Sequence, residues 1–255
     1  MLKRWLAHPL TRGLDIDAPG TTALRQRIIR EKGLLHQIYV EWYDAIAATI
    51  PTGDGSVVEL GTGGGFMRER LPDLVTSERF LCPGIRVVLD GMRLPFTSQS
   101  LRGLVMTNVL HHVPDARMFL TEATRCVRPG GVVSMIEPWV TPWSHLVYTR
   151  LHHEPFDPSA ASWTVPPNGP LSGANGALPW IMFERDRRQF EREFADWQIA
   201  RVAPMMPFAY LLSGGVAYRG PIPGWSYRPL RGLERALGRW QERLAMFALL
   251  VLRRR

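Results

Sequence analysis

The feature that most constrains this chain is the run Glu59-Leu60-Gly61-Thr62-Gly63-Gly64-Gly65-Phe66, which follows directly on Val57 and Val58. Adjacent β-branched residues read as a buried strand. The glycines crowded behind them let the chain turn tightly and bring bare backbone against a ligand. A strand that runs through such a loop into a helix is the opening unit of an open α/β sheet.

The residues downstream continue that pattern, with short apolar runs alternating with turn clusters. Strands are predicted over 74–78, 85–90, 104–108 and 132–136, with a short helix over 66–71 and a longer one over 115–127. The fold class is therefore α/β: a Rossmann-like fold with a central, mostly parallel sheet and helices on both faces. Ahead of it, Ile28, Ile29, Leu34, Leu35, Ile38, Trp42, Ile46 and Ile50 recur at helical spacing, which predicts N-terminal helices over residues 1–50.

Behind the fifth strand, proline, glycine, histidine and tryptophan crowd residues 138–180, the composition of a lid or binding loop. A charged helix is expected over 181–196, and an antiparallel strand pair over 198–202 and 208–212. The organisation expected is an N-terminal helical extension (1–50), a ligand-binding domain with its lid insertion (51–215) and a C-terminal basic amphipathic helix (216–255).

The glycine loop also speaks about its ligand. The dinucleotide fingerprint wants glycine or alanine where Phe66 stands. Glu59, two residues ahead of Gly61, gives E-x-G-x-G-x-G instead. A carboxylate there disfavours a pyrophosphate and suits a cationic, amino-acid-bearing ligand. The alternative is a glycine-rich turn with no ligand.

Four pieces stand in order: Glu59 to Gly65, Leu94-Pro95-Phe96 after Asp90, Asn108-Val109-Leu110-His111-His112, and the RCVRPGG that begins at Arg125. On these the segment of about 55–140 resembles the class I S-adenosylmethionine-dependent methyltransferases, in particular the UbiE and type 11 methyltransferase-domain group. The resemblance implies the methyltransferase form of the Rossmann-like fold, S-adenosylmethionine as cofactor and methyl transfer to oxygen, nitrogen or carbon. It implies that Gly61, Gly63 and Gly65, with Glu59, approach the methionine part and that Glu78 holds the ribose hydroxyls. Asp90 would bond the adenine amine beside Gly91 and Met92, and Asn108 and Val109 would face the sulfonium. One departure stands out: residues 79–84 replace the helix usual between the second and third strands.

Methyl transfer leans on positioning, and oxygen acceptors also want a general base. Glu137 at the end of the fifth strand, His111 behind the fourth and His145 in the lid are the candidates. For His111 and His112 a capping or packing role is the alternative. His152, His153 and Glu154 lie in the lid, but without companion ligands at suitable spacing no metal is expected. Trp139, Trp143, Tyr148 and Trp163 could line an apolar acceptor pocket or pack the lid.

The net charge of +8 points to an anionic partner, or to no more than a basic surface. Arg231, Arg235, Arg239, Arg243 and the three terminal arginines flank apolar residues in the last segment, and Lys3, Arg4 and Trp5 repeat that flavour at the start. Such a helix would lie on an anionic membrane or pack on the domain. Nucleic acid is disfavoured, since no aromatic-basic RNA motif or zinc-finger spacing occurs. Two cysteines, no signal-peptide core and no apolar run long enough to span a bilayer fit a cytoplasmic protein, with contact at the inner membrane face as the further expectation. The acceptor expected is a small or lipid-linked molecule. The competing readings are a nicotinamide-dependent oxidoreductase, which Phe66 and Glu59 count against, and a non-catalytic methyltransferase-like module acting at a membrane or partner surface.

Overall fold

The computed structural model describes residues 19–152, 154–166, 173–220 and 222–255. The basic start of the chain and His153 lie outside them. Helices α1 (Pro19–Glu31) and α2 (Gly33–Ala47) come first. The apolar stripe of α2, from Leu34 through Ile46, is buried against the sheet, which is where its three- and four-residue spacing aims it.

The sheet then builds through β1 (Ser56–Leu60), β2 (Val75–Glu78), the two-residue β3 (Val87–Val88) and β4 (Leu101–Thr107). Helix α3 (Ala116–Cys126) follows, and Asp115 caps it by accepting from the N–H groups of Arg117 and Met118. It leads into β5 (Val127–Pro138). The 115–127 helix and the strands of the parallel half thus form where the apolar pattern predicts them, with shifted ends. The stretch over 66–71 is shorter than expected, a single 3₁₀ turn at Met67–Glu69. No helix separates β2 from β3.

After β5 come α4 (Pro142–Leu151), capped by a Thr141–Ser144 capping box, and a helical turn at Leu178–Trp180 running into a π turn at Ile181–Arg185. Next are α5 (Arg187–Glu193), β6 (Trp197–Met205), α6 (Ala209–Ser213), α7 (Tyr227–Ala236), α8 (Trp240–Leu244) and β7 (Phe247–Arg254). Among the described residues seven strands form one sheet in the order β3-β2-β1-β4-β5-β7-β6. The first five run parallel, and β7 lies antiparallel between β5 and β6.

Two expectations are corrected here. The C-terminal segment 216–255 is not one amphipathic helix, because its apolar end is β7, a fully flanked strand whose residues Phe247 to Leu252 are all buried. A short apolar run reads alike as a buried helix or as a central strand. Pairing on both sides decides for the strand. Residues 208–212 form α6 and not a strand, because β7 takes the place beside β6 that they were expected to fill. Glu234 completes that helix by accepting the N–H groups of Phe208 at 2.6 Å and Ala209 at 2.7 Å.

Candidate active site

Behind the C-terminal ends of the parallel strands, where open α/β sheets bind ligands, the loops and α1 enclose a cavity of about 500 Å³. That volume lies within the range of small-ligand sites.

One end of it is the glycine loop. Gly61 adopts a φ of +62°, and a Cβ there would stand 2.7 Å from Cγ2 of Val109. Helix α1 presses on the loop so closely that a Cβ on Gly64 would lie 2.5 Å from the Gln26 backbone nitrogen. The Gln26 side chain donates to the Gly65 carbonyl at 3.1 Å. Two buried carboxylates tie the loop down. The Thr62 hydroxyl donates to Glu59 at 2.9 Å, while Glu78 accepts from the N–H groups of Gly63 at 2.5 Å and Arg79 at 3.2 Å. Burial pushes the Glu59 carboxyl up to about 7, against the bond from Thr62 and helped by the charge of Glu78. Burial also raises Glu78, with the two backbone N–H groups working the other way.

Asp90, beyond β3, lines the cavity with Gly91. It accepts from the Met92 N–H at 2.9 Å and from the Arg79 guanidinium at 3.4 Å. Met92 itself is not in the cavity wall; its side chain packs against the core. Asn108 takes a left-handed φ of +57°, which asparagine tolerates better than most residues. It lines the cavity beside Val109.

The turn after β4 is organised by Glu137, which is fully buried. One carboxylate oxygen accepts from the N–H groups of Val109 at 2.8 Å and Leu110 at 2.7 Å. The other meets Nδ1 of His111 at 2.6 Å. All of this commits Glu137 to holding the turn, and it does not face the cavity, so the expectation of a base at this position is corrected. His145 is corrected as well: it is exposed on α4, outside the cavity wall.

His111 does line the cavity. Burial opposes its charge, but Glu137 and Glu154 outweigh that and push the imidazole up to about 10. Nε2 of His111 lies 3.5 Å from Glu154. His112 sits against it, its Nδ1 donating to the Gly173 carbonyl at 3.0 Å and its Nε2 3.8 Å from Glu154. Burial, and then the neighbouring His111 charge, push His112 down to about 4. Glu154 is held far below the carboxylate range by the three histidines around it, although burial acts the other way. The spacing argument weighed His152, His153 and Glu154 alone; the fold instead brings Glu154 beside His111 and His112, with the potential ligand atoms of these three within 4.8 Å of one another.

Aromatic rings form another part of the lining. Tyr148 stacks on Phe156 at 4.6 Å between centroids, and Tyr210 meets Phe247 edge-on at 4.7 Å. All four line the cavity. Of the aromatic residues expected to form an acceptor pocket, Trp139, Trp143 and Trp163 do not line it. Trp143 and Trp163 instead donate to the Pro207 carbonyl at 2.8 Å and Asp186 at 3.0 Å. The sequence reading also missed Thr21, Thr22 and Arg25 of α1 and Tyr39 and Tyr43 of α2, which wall the glycine end. They lie outside the apolar series that predicts these helices, and nothing local in the sequence marks them as a cavity wall.

A parallel half-sheet with a carboxylate-flanked glycine loop and one antiparallel strand inserted near the edge defines a Rossmann-like methyltransferase architecture. Residues 58–135 match a family model described as a methyltransferase domain. That stretch carries a methyltransferase domain of the type 11 group, for which S-adenosylmethionine is the fitting cofactor. No curated protein matches the chain at the sequence level.

Among solved structures, it is similar to geranyl diphosphate C-methyltransferase of Streptomyces coelicolor A3(2), crystallised with Mg²⁺, geranyl diphosphate and S-adenosylhomocysteine. Identity is 13%, with 98% of this chain and 90% of that one covered at a TM-score of 0.50. An S-adenosylmethionine-dependent methyltransferase of Thermotoga maritima shares 12% identity over 91% of this chain and 99% of its own, at a TM-score of 0.50. A methyltransferase bound to the Trm112 activator of Haloferax volcanii shares 15% over 88% and 93%, at 0.51. At these identities the likeness is one of fold.

Proposed function

We propose that this enzyme moves a methyl group onto a small-molecule or lipid-linked acceptor with an apolar body. The observation that carries the reading is that the glycine loop and the aromatic end open into one cavity. Buried Glu59 and Glu78 fit the cofactor's cationic methionine part and its ribose better than they would fit a pyrophosphate. In this reading Gly61, Gly63 and Gly65 hold the methionine part with Glu59, and Glu78 takes the ribose hydroxyls. Asp90 and Gly91 take the adenine, and Asn108 and Val109 border the sulfonium side. When bound, S-adenosylmethionine supplies a methyl that an acceptor's electron pair displaces, leaving the thioether as the acceptor releases its proton. The rings of Tyr148, Phe156, Tyr210 and Phe247 would exclude water and align the acceptor, with its polar head toward His112 and Glu154. Alignment of this kind supplies several kcal/mol of the barrier.

A second reading, binding without turnover at an anionic surface, draws on the C-terminal helices. Trp225, Leu233 and Trp240 are 80%, 69% and 54% exposed. Exposed Arg228, Arg235, Arg239 and Arg243 surround them, while α7 turns Arg231 and Glu234 inward. Among the described residues no helix is long and apolar enough to cross a membrane.

Methyl-tritiated S-adenosylmethionine with panels of apolar alcohols and phenols, lipid-linked acceptors, polar amines and tRNA separates the two. Label entering apolar or lipid-linked products supports the proposal. Transfer only to amines or tRNA overturns its acceptor class. Cofactor binding with no transfer to any panel, together with retention on anionic vesicles, favours the second reading.

A further inference from the structure

We propose that His111, His112 and Glu154 bind a divalent transition-metal ion at the acceptor end of the cavity, zinc being the ion that their donor set suits best. The potential ligand atoms of the three residues lie within 4.8 Å of one another, and all three residues line the cavity. Ligands about 2.0–2.1 Å from a tetrahedral zinc are separated by roughly 3.3 Å. The two measured Nε2-to-carboxylate separations, 3.5 Å from His111 and 3.8 Å from His112, are already close to that.

The orientation of the rings is the stronger argument. Metal-ligating histidines use one ring nitrogen for the ion and donate the other N–H to a carboxylate or backbone carbonyl, which fixes the tautomer and the ring plane. Both histidines here have that second partner. Nδ1 of His111 is held by buried Glu137 at 2.6 Å, and Nδ1 of His112 by the Gly173 carbonyl at 3.0 Å. Both rings therefore turn Nε2 toward the same carboxylate. Two imidazoles and one carboxylate form a set that catalytic zinc sites use, with the fourth position left for water or substrate. All three residues line the cavity that the aromatic rings also line, so the ligand class for that position is an oxygen donor of the acceptor. The site itself stands on geometry alone; its use on an acceptor rests on the methyl-transfer reading above.

The test uses the full chain, stripped with a chelator and titrated with Zn²⁺ in competition with a chromophoric chelator, and separately with Co²⁺. One ion per chain is expected, with a Kd of about a micromolar or tighter. The Co²⁺ form should show visible d–d absorbance of a four- or five-coordinate site. His112→Ala and Glu154→Gln should each weaken Zn²⁺ by about a hundredfold, while His145→Ala, outside the cavity, leaves it unchanged. Circular dichroism checks each variant, and Glu154→Gln decides if His112→Ala does not fold. The proposal is overturned if the native chain binds no ion at about 100 µM, or if both cavity variants bind as tightly as the native chain. S-adenosylhomocysteine titrated into the same samples reports on the cofactor separately, so failure of the metal site is distinguishable from failure of the methyltransferase reading.

Discussion

The glycine end of the cavity is assembled mainly from the closely spaced strand ends between Glu59 and Val109, while the aromatic end draws Tyr148, Phe156, Tyr210 and Phe247 from four separate segments. Backbone and carboxylates make the first; rings and a histidine–glutamate cluster make the second. Glu137 joins them, because one carboxylate holds both the Val109–Leu110 backbone of the first and the His111 ring of the second. A binding element made of backbone allows little change in its supports. A wall made of separate side chains can be altered one ring at a time.

Removing the joint should break both ends at once. Glu137→Ala strands two buried backbone donors and the His111 ring, and is expected to cost about 3–5 kcal/mol in urea unfolding. A loss under about 1 kcal/mol would deny the residue that role.

The carboxylate at the glycine end should leave a pH signature. Glu59 is pushed to about 7 from its ordinary 4.5, so between those values the folded chain holds a proton that the unfolded chain has lost. Stability contributed by that proton is present below pH 4.5, falls as pH rises toward 7 and is level above it, a change on the order of 2–3 kcal/mol. The native-minus-Glu59→Gln difference in melting, measured across that window, should show the slope; parallel curves would contradict it.

Gly61→Ala sharpens the contrast next. Its Cβ would meet Val109, and its φ is one that alanine avoids. S-adenosylhomocysteine affinity should fall about tenfold to a hundredfold for strain of this size. Phe156→Ala should leave that affinity within about threefold while lowering kcat/KM for the acceptor by about tenfold, the consequence of losing one aligning wall. Equal effects on both constants would mean that the two ends are not separable.

How legible each end was in the sequence follows from the same difference. The strand–loop–helix succession around Glu59 is local, so the parallel half of the sheet, the helix over 115–127 and the loop could be read from spacing. Glu78 and Asp90 fall beside the loop because strand ends converge there. The aromatic lining was not legible in this way. Forty-two positions separate His112 from Glu154, and only the packing of the insertion joins them. His145 had the right chemistry on the wrong face of α4, and Met92 the right position with its side chain turned into the core. The apolar run of β7 carried no period that could tell a flanked strand from a buried helix.

Calorimetric titration of the purified chain with S-adenosylhomocysteine, beside NAD and an Asp90→Ala variant, tests the central claim most directly. The account predicts micromolar binding, weakened about tenfold by the substitution, and no heat with NAD. Absence of S-adenosylhomocysteine binding, or binding of NAD in its place, would contradict it.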